Sequence, residues 1–291
     1  MVDRIVDAHI HFWDHSVEGL EWAFLDANFE HPRLGDLKRL AAPRYAIDEL
    51  KADIADLPVD KIVHVQAARA ADPTIESAWL QRLGDQSGWP NAFVAYCDLS
   101  RPDAGDIVAR HAQFPRFRGV RDLAAGLRLA DPDVVRGYGL AAATATTIEV
   151  MTSWDHFDEL LSLVDQWPAT PVVLGHAGLP VERDDGYYVH WLAGMKRLAV
   201  AAPTMVCKIS AIASGADPSW TVDSIRRWVL GCIEAFGPQR CMFAGNWPID
   251  KLFGTYPKLF GAYEEIVRAA GISENEIGLL FAGNAERVYA I

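Results

Sequence analysis

Short apolar runs rich in Val, Ile and Phe alternate along this chain with longer stretches in which apolar residues recur every three to four positions. Runs of the first kind, without polar alternation, are typical of parallel β-strands buried on both faces. The second spacing is typical of amphipathic helices, as where Ile47, Leu50, Ile54 and Leu57 would share one face. The pattern predicts eight strands, at 4–11, 61–66, 92–98, 117–122, 147–151, 171–176, 205–210 and 240–246.

Helical patterns fill the stretches between these strands and follow the last one. They cover 47–57, 73–86, 103–114, 131–143, 154–167, 187–201, 219–236 and 256–270, with a further capped segment at 273–291. Alternation of eight strands with eight helices favours one α/β domain over 1–291, a single (β/α)8 TIM barrel. A doubly wound dinucleotide-binding sheet is disfavoured because no GxGxxG sequence follows a strand. Two long loops, 15–46 and 179–186, would lie at the carboxyl ends of the strands, where barrel enzymes hold their sites.

The composition of the chain argues against some classes of binding partner. The 291 residues carry a formal net charge of −12 without a basic run, which argues against nucleic acid or an anionic membrane. The sequence has no signal-peptide pattern and no apolar run of membrane-spanning length. Cys97, Cys207, Cys232 and Cys241 form no CxxC pair and are typical of buried free thiols in a reducing compartment. We expect a cytoplasmic protein that acts on a small molecule, with a homodimer as an open arrangement.

Polar side chains stand at the ends of nearly all predicted strands. His9 and His11 lie two residues apart in the first strand, so the period of two places both imidazoles on one face. Such a pair can hold a divalent cation or grip an anionic substrate. Because the carboxyl ends of the strands meet at one mouth of a barrel, other strand-end residues are expected to join them. These are Gln66, Asp98, Arg118, Arg121, Glu149, His176, Lys208, Ser210 and Asn246.

Three of these residues admit more than one role. His176 follows a buried strand and precedes a Gly–Pro turn, a position suited to a ligand or a catalytic base. Arg121 requires an anion, which is either Asp122 or Glu149 in a structural ion pair or the carboxylate of a substrate. Lys208 is an acid/base group, a carboxylate partner or a member of an ion pair inside the barrel.

Aromatic residues also flank the predicted strand ends. Most of the ten tryptophans are expected to pack in the core. We expect Trp13, Trp154 and Trp247 to wall an apolar or sugar-like pocket, with Gln66 as a further substrate contact.

Six ordered segments resemble one known family. They are Asp7-Ala8-His9-Ile10-His11-Phe12-Trp13-Asp14, Phe117-Arg118-Gly119-Val120-Arg121, Val173-Leu174-Gly175-His176-Ala177-Gly178, Val206-Cys207-Lys208-Ile209-Ser210, the stretch 236–248 ending in Asn246-Trp247-Pro248, and Phe281-Ala282-Gly283-Asn284-Ala285. Together they resemble the amidohydrolase-2 group of the amidohydrolase superfamily. The resemblance implies a (β/α)8 barrel akin to sugar-acid lactonases and pyrone-dicarboxylate lactonases, and more distantly to metal-dependent decarboxylases.

The resemblance also implies roles for site residues. His9, His11 and His176 would be ligands of a metal or of the substrate, and Arg121 would hold a substrate carboxylate or oxygen. Some members of the family use one divalent cation, usually zinc or manganese, whereas some lactonases need none. Catalysis would therefore fall to His9, His11, His176 and the residue at position 246, with or without a metal.

Position 246 departs from the family pattern. Most relatives carry Asp before the Trp-Pro pair, and this chain has Asn246. An amide cannot serve as an ordinary general base. Three interpretations stay open: another group such as a histidine or Asp250 does the work, the reaction of this branch has changed, or the barrel is inactive.

These observations favour a hydrolase that opens a lactone or related cyclic ester of a small carboxylated or sugar-acid substrate. The histidine cluster would polarise the carbonyl, and Arg121 and Lys208 would align the ring. A metal-dependent, non-oxidative decarboxylase of an aromatic or unsaturated acid is the alternative.

Overall fold

The strands of this protein form one parallel sheet that curls into a barrel. A computed structural model describes residues 2–26, 34, 37–144, 147–213 and 216–291. Eight parallel strands follow one another in chain order. They are β1 (Ile5–Ile10), β2 (Val59–Val65), β3 (Ala92–Tyr96), β4 (Phe117–Arg121), β5 (Thr147–Val150), β6 (Val172–Leu174), β7 (Val206–Ile209) and β8 (Cys241–Phe243). The backbone N–H of His11 donates to the carbonyl of Trp247 over 2.7 Å, which brings the end of β8 beside β1. The predicted (β/α)8 barrel is confirmed.

Helices occupy the predicted connections. They are α1 (Ile47–Ile54), α2 (Thr74–Ser87), α3 (Ala104–His111), α4 (Pro132–Ala142), α5 (Phe157–Val164), α6 (Asp185–Ala201), α7 (Val222–Phe236), α8 (Tyr256–Ala269), α9 (Glu274–Gly278) and α10 (Asn284–Tyr289). Side chains of Asp131, Thr221 and Ser273 accept backbone N–H bonds and start α4, α7 and α9, as such caps commonly do. The predicted capped segment 273–291 contains α9 and α10, which a π-turn at Leu279–Gly283 joins.

The core has an inner and an outer layer. Alternate strand residues such as Val63, Val65 and Val94 form the inner cluster, which Tyr289 of α10 joins. The Tyr289 hydroxyl donates to the Glu149 carboxylate inside the barrel. The outer and larger layer packs the other strand faces against the helices. The inside of the barrel is therefore a core filled with side chains.

The first strand is tied to the last strand by a buried carboxylate. Asp7 accepts hydrogen bonds from the backbone N–H of His9 and of Gly245 over 2.9 and 2.8 Å, and from the Tyr256 hydroxyl over 2.8 Å. Burial nevertheless raises the pKa of the Asp7 carboxyl to about 6. These hydrogen bonds to Asp7 fix the backbone that carries His9 and His11.

The long connection after β1 is only partly described. It contains a short ribbon of Trp13–Asp14 with Arg44–Tyr45 and two 3-10 turns, Ala23–Leu25 and Leu37–Leu40. The predicted loop 15–46 also includes 27–33 and 35–36, which lie outside the described residues. All four cysteines are buried and free. No helix in the described ranges is long and apolar enough to cross a membrane.

Candidate active site

A cavity of about 280 Å³ opens at the carboxyl ends of the strands. Among the described residues, five of the side chains that line it are polar and come from different strand ends. These are His11, Gln66, Arg121, His176 and Asn246. All five belong to the set that the sequence predicts for this mouth, so the convergence expected of strand-end residues occurs here.

His11, which lines this cavity, faces the buried imidazole of His9 on β1, which is not among the described lining residues. The Nδ1–H of His11 donates to the carbonyl of Val65 over 2.8 Å, which leaves the His11 Nε2 lone pair 3.1 Å from Nε2 of His9. Burial is the main cause that lowers both pKa values, that of His11 to about 3, and the charge of Arg121 lowers them further. Both rings are therefore neutral near pH 7 and available as bases or ligands.

His176 has a backbone conformation that is uncommon for residues other than glycine. Its φ of 50° lies in the left-handed region, as do those of Asn246 (48°) and Ala211 (52°), each just beyond the end of a strand. Such non-glycine residues cost roughly 1–3 kcal/mol each and cluster at functional sites. The His176 Nδ1 lies 2.9 Å from the Ser210 hydroxyl, and its ring centroid lies 4.7 Å from that of His9. Burial lowers the pKa of His176 well below its usual value.

Arg121 is a buried cation with neutral partners. Its Nη2 donates to the backbone carbonyl and the side-chain oxygen of Gln66 over 2.8 and 3.2 Å, and its Nη1 lies 3.4 Å from Nε2 of His9. Its Nε has no partner among the described residues, and no described carboxylate forms an ion pair with it. Burial lowers the pKa of this guanidinium to about 10, so it stays charged at neutral pH. Of the two roles open in the sequence, the geometry favours the binding of an external anion.

Asn246 is oriented by a second buried acid. Its Nδ2 donates to Oδ1 of Asp250 over 2.7 Å, so the amide oxygen is the end that stays available to other groups. Burial raises the pKa of Asp250 well above its usual value, and its Oδ2 has no described partner. Asp250 is not among the described residues that line the cavity. This arrangement makes Asp250 a support for Asn246 rather than a group in contact with substrate.

Three residues predicted to contact substrate are placed elsewhere. Lys208 is fully buried and its Nζ lies 2.7 Å from Oε1 of Glu149, which is the structural ion pair left open by the sequence. Trp13 Nε1 donates to the Ala42 carbonyl, and Trp247 Nε1 donates to the Asp53 carboxylate. None of the three is among the described lining residues. Trp13 therefore bonds to the backbone of the connection before α1, and Trp247 bonds to a side chain of α1.

Two buried polar residues that support the site, although neither is among the described lining residues, were not predicted from the sequence. Glu76 of α2 is buried and accepts the N–H groups of Ala67 and Ala68, which fixes the backbone that follows Gln66. Burial raises the pKa of Glu76 to about 7. His64 of β2 is also buried, and its Nε2 accepts the Phe12 N–H over 3.0 Å. An acidic residue in the first turn of the helix after β2 was the available signal for Glu76.

The described donors do not make a complete cation site. The 3.1 Å between the Nε2 atoms of His9 and His11 suits two ligands of one zinc ion, whose Zn–N bonds are about 2.0–2.1 Å. No group of three or more His, Cys, Asp or Glu side chains in the described ranges is arranged to hold a metal. An amide stands at position 246, and Arg121 and Lys208 add positive charge to the cluster. A metal held by His9, His11 and His176 stays a prediction.

The family of this chain follows from comparison with known proteins. The model of the family described as Amidohydrolase matches residues 6–291. The chain belongs to this family. It is therefore a hydrolase of the amidohydrolase type, and the resemblance seen in the six sequence segments is confirmed.

Individual relatives extend over the whole chain. A protein called y4mH from Sinorhizobium fredii is 32% identical over 300 residues, covering 99% of this chain and 98% of the relative. An L-fucono-1,5-lactonase from Burkholderia multivorans is 27% identical, covering 98% of this chain and 96% of the relative. A crystal structure of an amidohydrolase from Burkholderia multivorans with bound zinc superposes with a TM-score of 0.83 at 26% identity, covering 99% of each chain.

Proposed function

We propose that this hydrolase opens the ring of a lactone or related cyclic ester derived from a small carboxylated or sugar acid. The observation that carries the proposal is the Arg121 guanidinium, which forms no ion pair with a described residue and lines one cavity with the neutral imidazoles of His11 and His176. The neutral imidazole of His9 contacts both of these rings. A similar protein of nearly the same length is an L-fucono-1,5-lactonase, which supports the same reaction class.

In the proposed reaction, Arg121 binds a carboxylate or another oxygen of the substrate. Its fork of N–H donors would fix the ring so that the ester carbonyl lies over the histidine cluster. His176 takes a proton from water as the water oxygen bonds to the carbonyl carbon. The bond from that carbon to the ring oxygen then breaks, and the ring oxygen receives the proton from His176. Ser210, bonded to Nδ1, holds the imidazole orientation through both steps.

The charges of the site suit the negative charge that develops on the carbonyl oxygen. Arg121 and Lys208 lower the pKa values of His9 and His176, which means that both cations raise the positive potential there. The same potential stabilises an oxyanion in a buried site. A substrate carboxylate on Arg121 would offset part of this charge and raise the basicity of His176 in the complex.

Metal dependence and the decarboxylase alternative are both open to the same assay. A zinc or manganese ion, if bound, would polarise the carbonyl as a Lewis acid. Decarboxylation would release CO2 instead of adding water, and no feature of the described site favours it over hydrolysis.

The test is a lactone panel followed by proton release, run with a chelator and with added zinc or manganese, and with CO2 detection. We expect ring opening, and we expect His176→Gln to lower kcat/KM by at least about tenfold, or roughly 1.4 kcal/mol. His190→Gln, an exposed histidine on α6, is the matched control and should leave turnover unchanged. Equal turnover in His176→Gln removes that residue from the scheme, and an inert panel contradicts the proposal.

A further inference from the structure

The cavity has a polar floor and an apolar wall. Above the five polar residues, the described lining is hydrocarbon on several sides. The wall includes Phe24, Leu123, Met151, Leu179, Val181 and Ile249. These six residues belong to the connections that follow β1, β4, β5, β6 and β8, so separate loops contribute the same chemistry.

A polyhydroxylated ring is poorly matched to this wall. Each sugar hydroxyl that leaves water needs a new hydrogen-bond partner, and a hydroxyl placed against hydrocarbon has none. An alkyl or aromatic body in the same place instead removes apolar surface from water on both partners. The described wall therefore selects against the sugar lactones that a related enzyme is named for.

The floor sets a second requirement. The Arg121 guanidinium is buried, charged at neutral pH and bonded only to neutral groups among the described residues. A buried cation without a counter-charge is costly, and a ligand carboxylate would relieve that cost. Arg121 is the one charged side chain among the described lining residues, which calls for one negative charge on the ligand.

We propose that this site takes an amphipathic anion, a lactone that carries one carboxylate and an apolar ring or alkyl body, in preference to a polyhydroxylated sugar lactone. The inference rests on the lactone hydrolysis proposed above. The carboxylate lies on Arg121, the ester carbonyl lies over the histidines, and the apolar body lies against Met151, Leu179 and Val181.

The test compares three substrates on the intact protein. They are a γ-butyrolactone carboxylate, the same compound with a five-carbon alkyl chain, and L-fucono-1,5-lactone. A buried methylene is worth up to roughly fourfold in affinity, so the alkylated lactone should have a kcat/KM at least about tenfold above that of the short one. L-fucono-1,5-lactone should be the poorest of the three. A preference for the sugar lactone, or no gain from the alkyl chain, overturns the inference.

A binding measurement separates this inference from the reaction. The probe is a cyclopentane carboxylate with the same alkyl chain, which has no ester bond, studied by calorimetry. Tight binding of this probe without hydrolysis of any lactone supports the proposed pocket chemistry and overturns the proposed reaction. Hydrolysis of lactones with no binding of the probe overturns the pocket chemistry alone.

An isosteric variant locates the effect. Val181→Thr places a hydroxyl in the wall without changing its shape and should lower the advantage of the alkylated lactone about threefold or more, while the short lactone is unaffected. Val189→Thr makes the same change on an exposed face of α6 and should leave the kcat/KM of both lactones unchanged. If the ratio of kcat/KM for the alkylated lactone to that for the short lactone is the same in Val181→Thr and Val189→Thr, the alkyl chain does not lie against Val181.

Discussion

Two buried cations inside this barrel have opposite surroundings. Lys208 on β7 and Arg121 on β4 are both almost fully buried, and burial lowers the pKa of each. Lys208 has a carboxylate 2.7 Å away on Glu149, and Tyr289 donates to that same carboxylate. Arg121 has amide and imidazole partners and no ion pair among the described residues.

The difference separates a structural charge from a binding charge. A cation whose counter-ion is supplied by the protein needs nothing from a ligand, and its removal mainly harms stability. A cation whose counter-ion is missing makes the folded state less stable and gains most when an anion arrives. Substitutions of Lys208, Arg121 and Glu76 should separate these two kinds of charge.

The largest effect is expected at Lys208. Lys208→Met should lower the free energy of unfolding by about 3–5 kcal/mol near neutral pH, because the Glu149 carboxylate loses its partner in a buried place. Urea unfolding measures this. The double variant Lys208→Met/Glu149→Gln should recover most of the loss, since neither of the two positions then carries a buried charge. A Lys208→Met variant as stable as the parent would show that the ion pair does not stabilise the folded state.

Arg121 should respond in the opposite way. Arg121→Met is expected to lower kcat/KM for a carboxylated lactone about 100-fold, or roughly 2.7 kcal/mol, through loss of a charge-assisted contact. The free energy of unfolding should stay the same or rise, because an unpaired buried charge is removed. The methyl ester of the same lactone is the control and should lose much less. Loss of stability with unchanged kinetics would assign Arg121 to the structural class.

The smallest effect is expected at Glu76, a buried acid that interacts electrostatically with Arg121. Burial raises the pKa of its carboxyl from 4.5 to about 7, so the folded protein holds a proton that the unfolded chain has released between these values. The contribution of Glu76 to the free energy of unfolding is therefore greatest at low pH and falls as pH rises from 4.5 towards 7. Glu76→Gln, whose Oε1 can keep both backbone bonds, should remove on the order of 1–3 kcal/mol of that fall.

Urea unfolding of both proteins at pH 4.5 and above pH 7 measures the Glu76 effect. The parent should lose more stability between the two conditions than the variant does. Parallel pH profiles for the parent and Glu76→Gln would mean that Glu76 is ionised throughout and that its burial is offset by other groups.

The barrel itself could be predicted from sequence because its signal is local. A strand buried on both faces is an unbroken apolar run, and all eight runs became strands whose observed ends differ by at most a few residues from the predicted ones. His9, His11, Arg121 and His176 could be placed together for a related reason, since the carboxyl ends of parallel strands must meet at one mouth.

The partners of the two cations could not be predicted in the same way. Glu149 is 59 residues from Lys208, and the sequence suggested Glu149 as a partner for Arg121 but named no partner for Lys208. Which carboxylate faces which cation depends on strand stagger and side-chain direction in the closed barrel. The apolar wall was missed for a similar reason: Leu123, Met151 and Val181 lie in loops whose paths follow from tertiary packing.

The four buried cysteines can report how the folded structure opens. Cys97, Cys207, Cys232 and Cys241 have no measurable exposure, so a thiol-reactive dye can label them only after the surrounding structure opens. Cys97 lies after β3, on the far side of the barrel from the group formed by Cys207, Cys232 and Cys241. The rates of labelling at the two places would therefore report whether the barrel opens as one cooperative unit or begins to part at one seam.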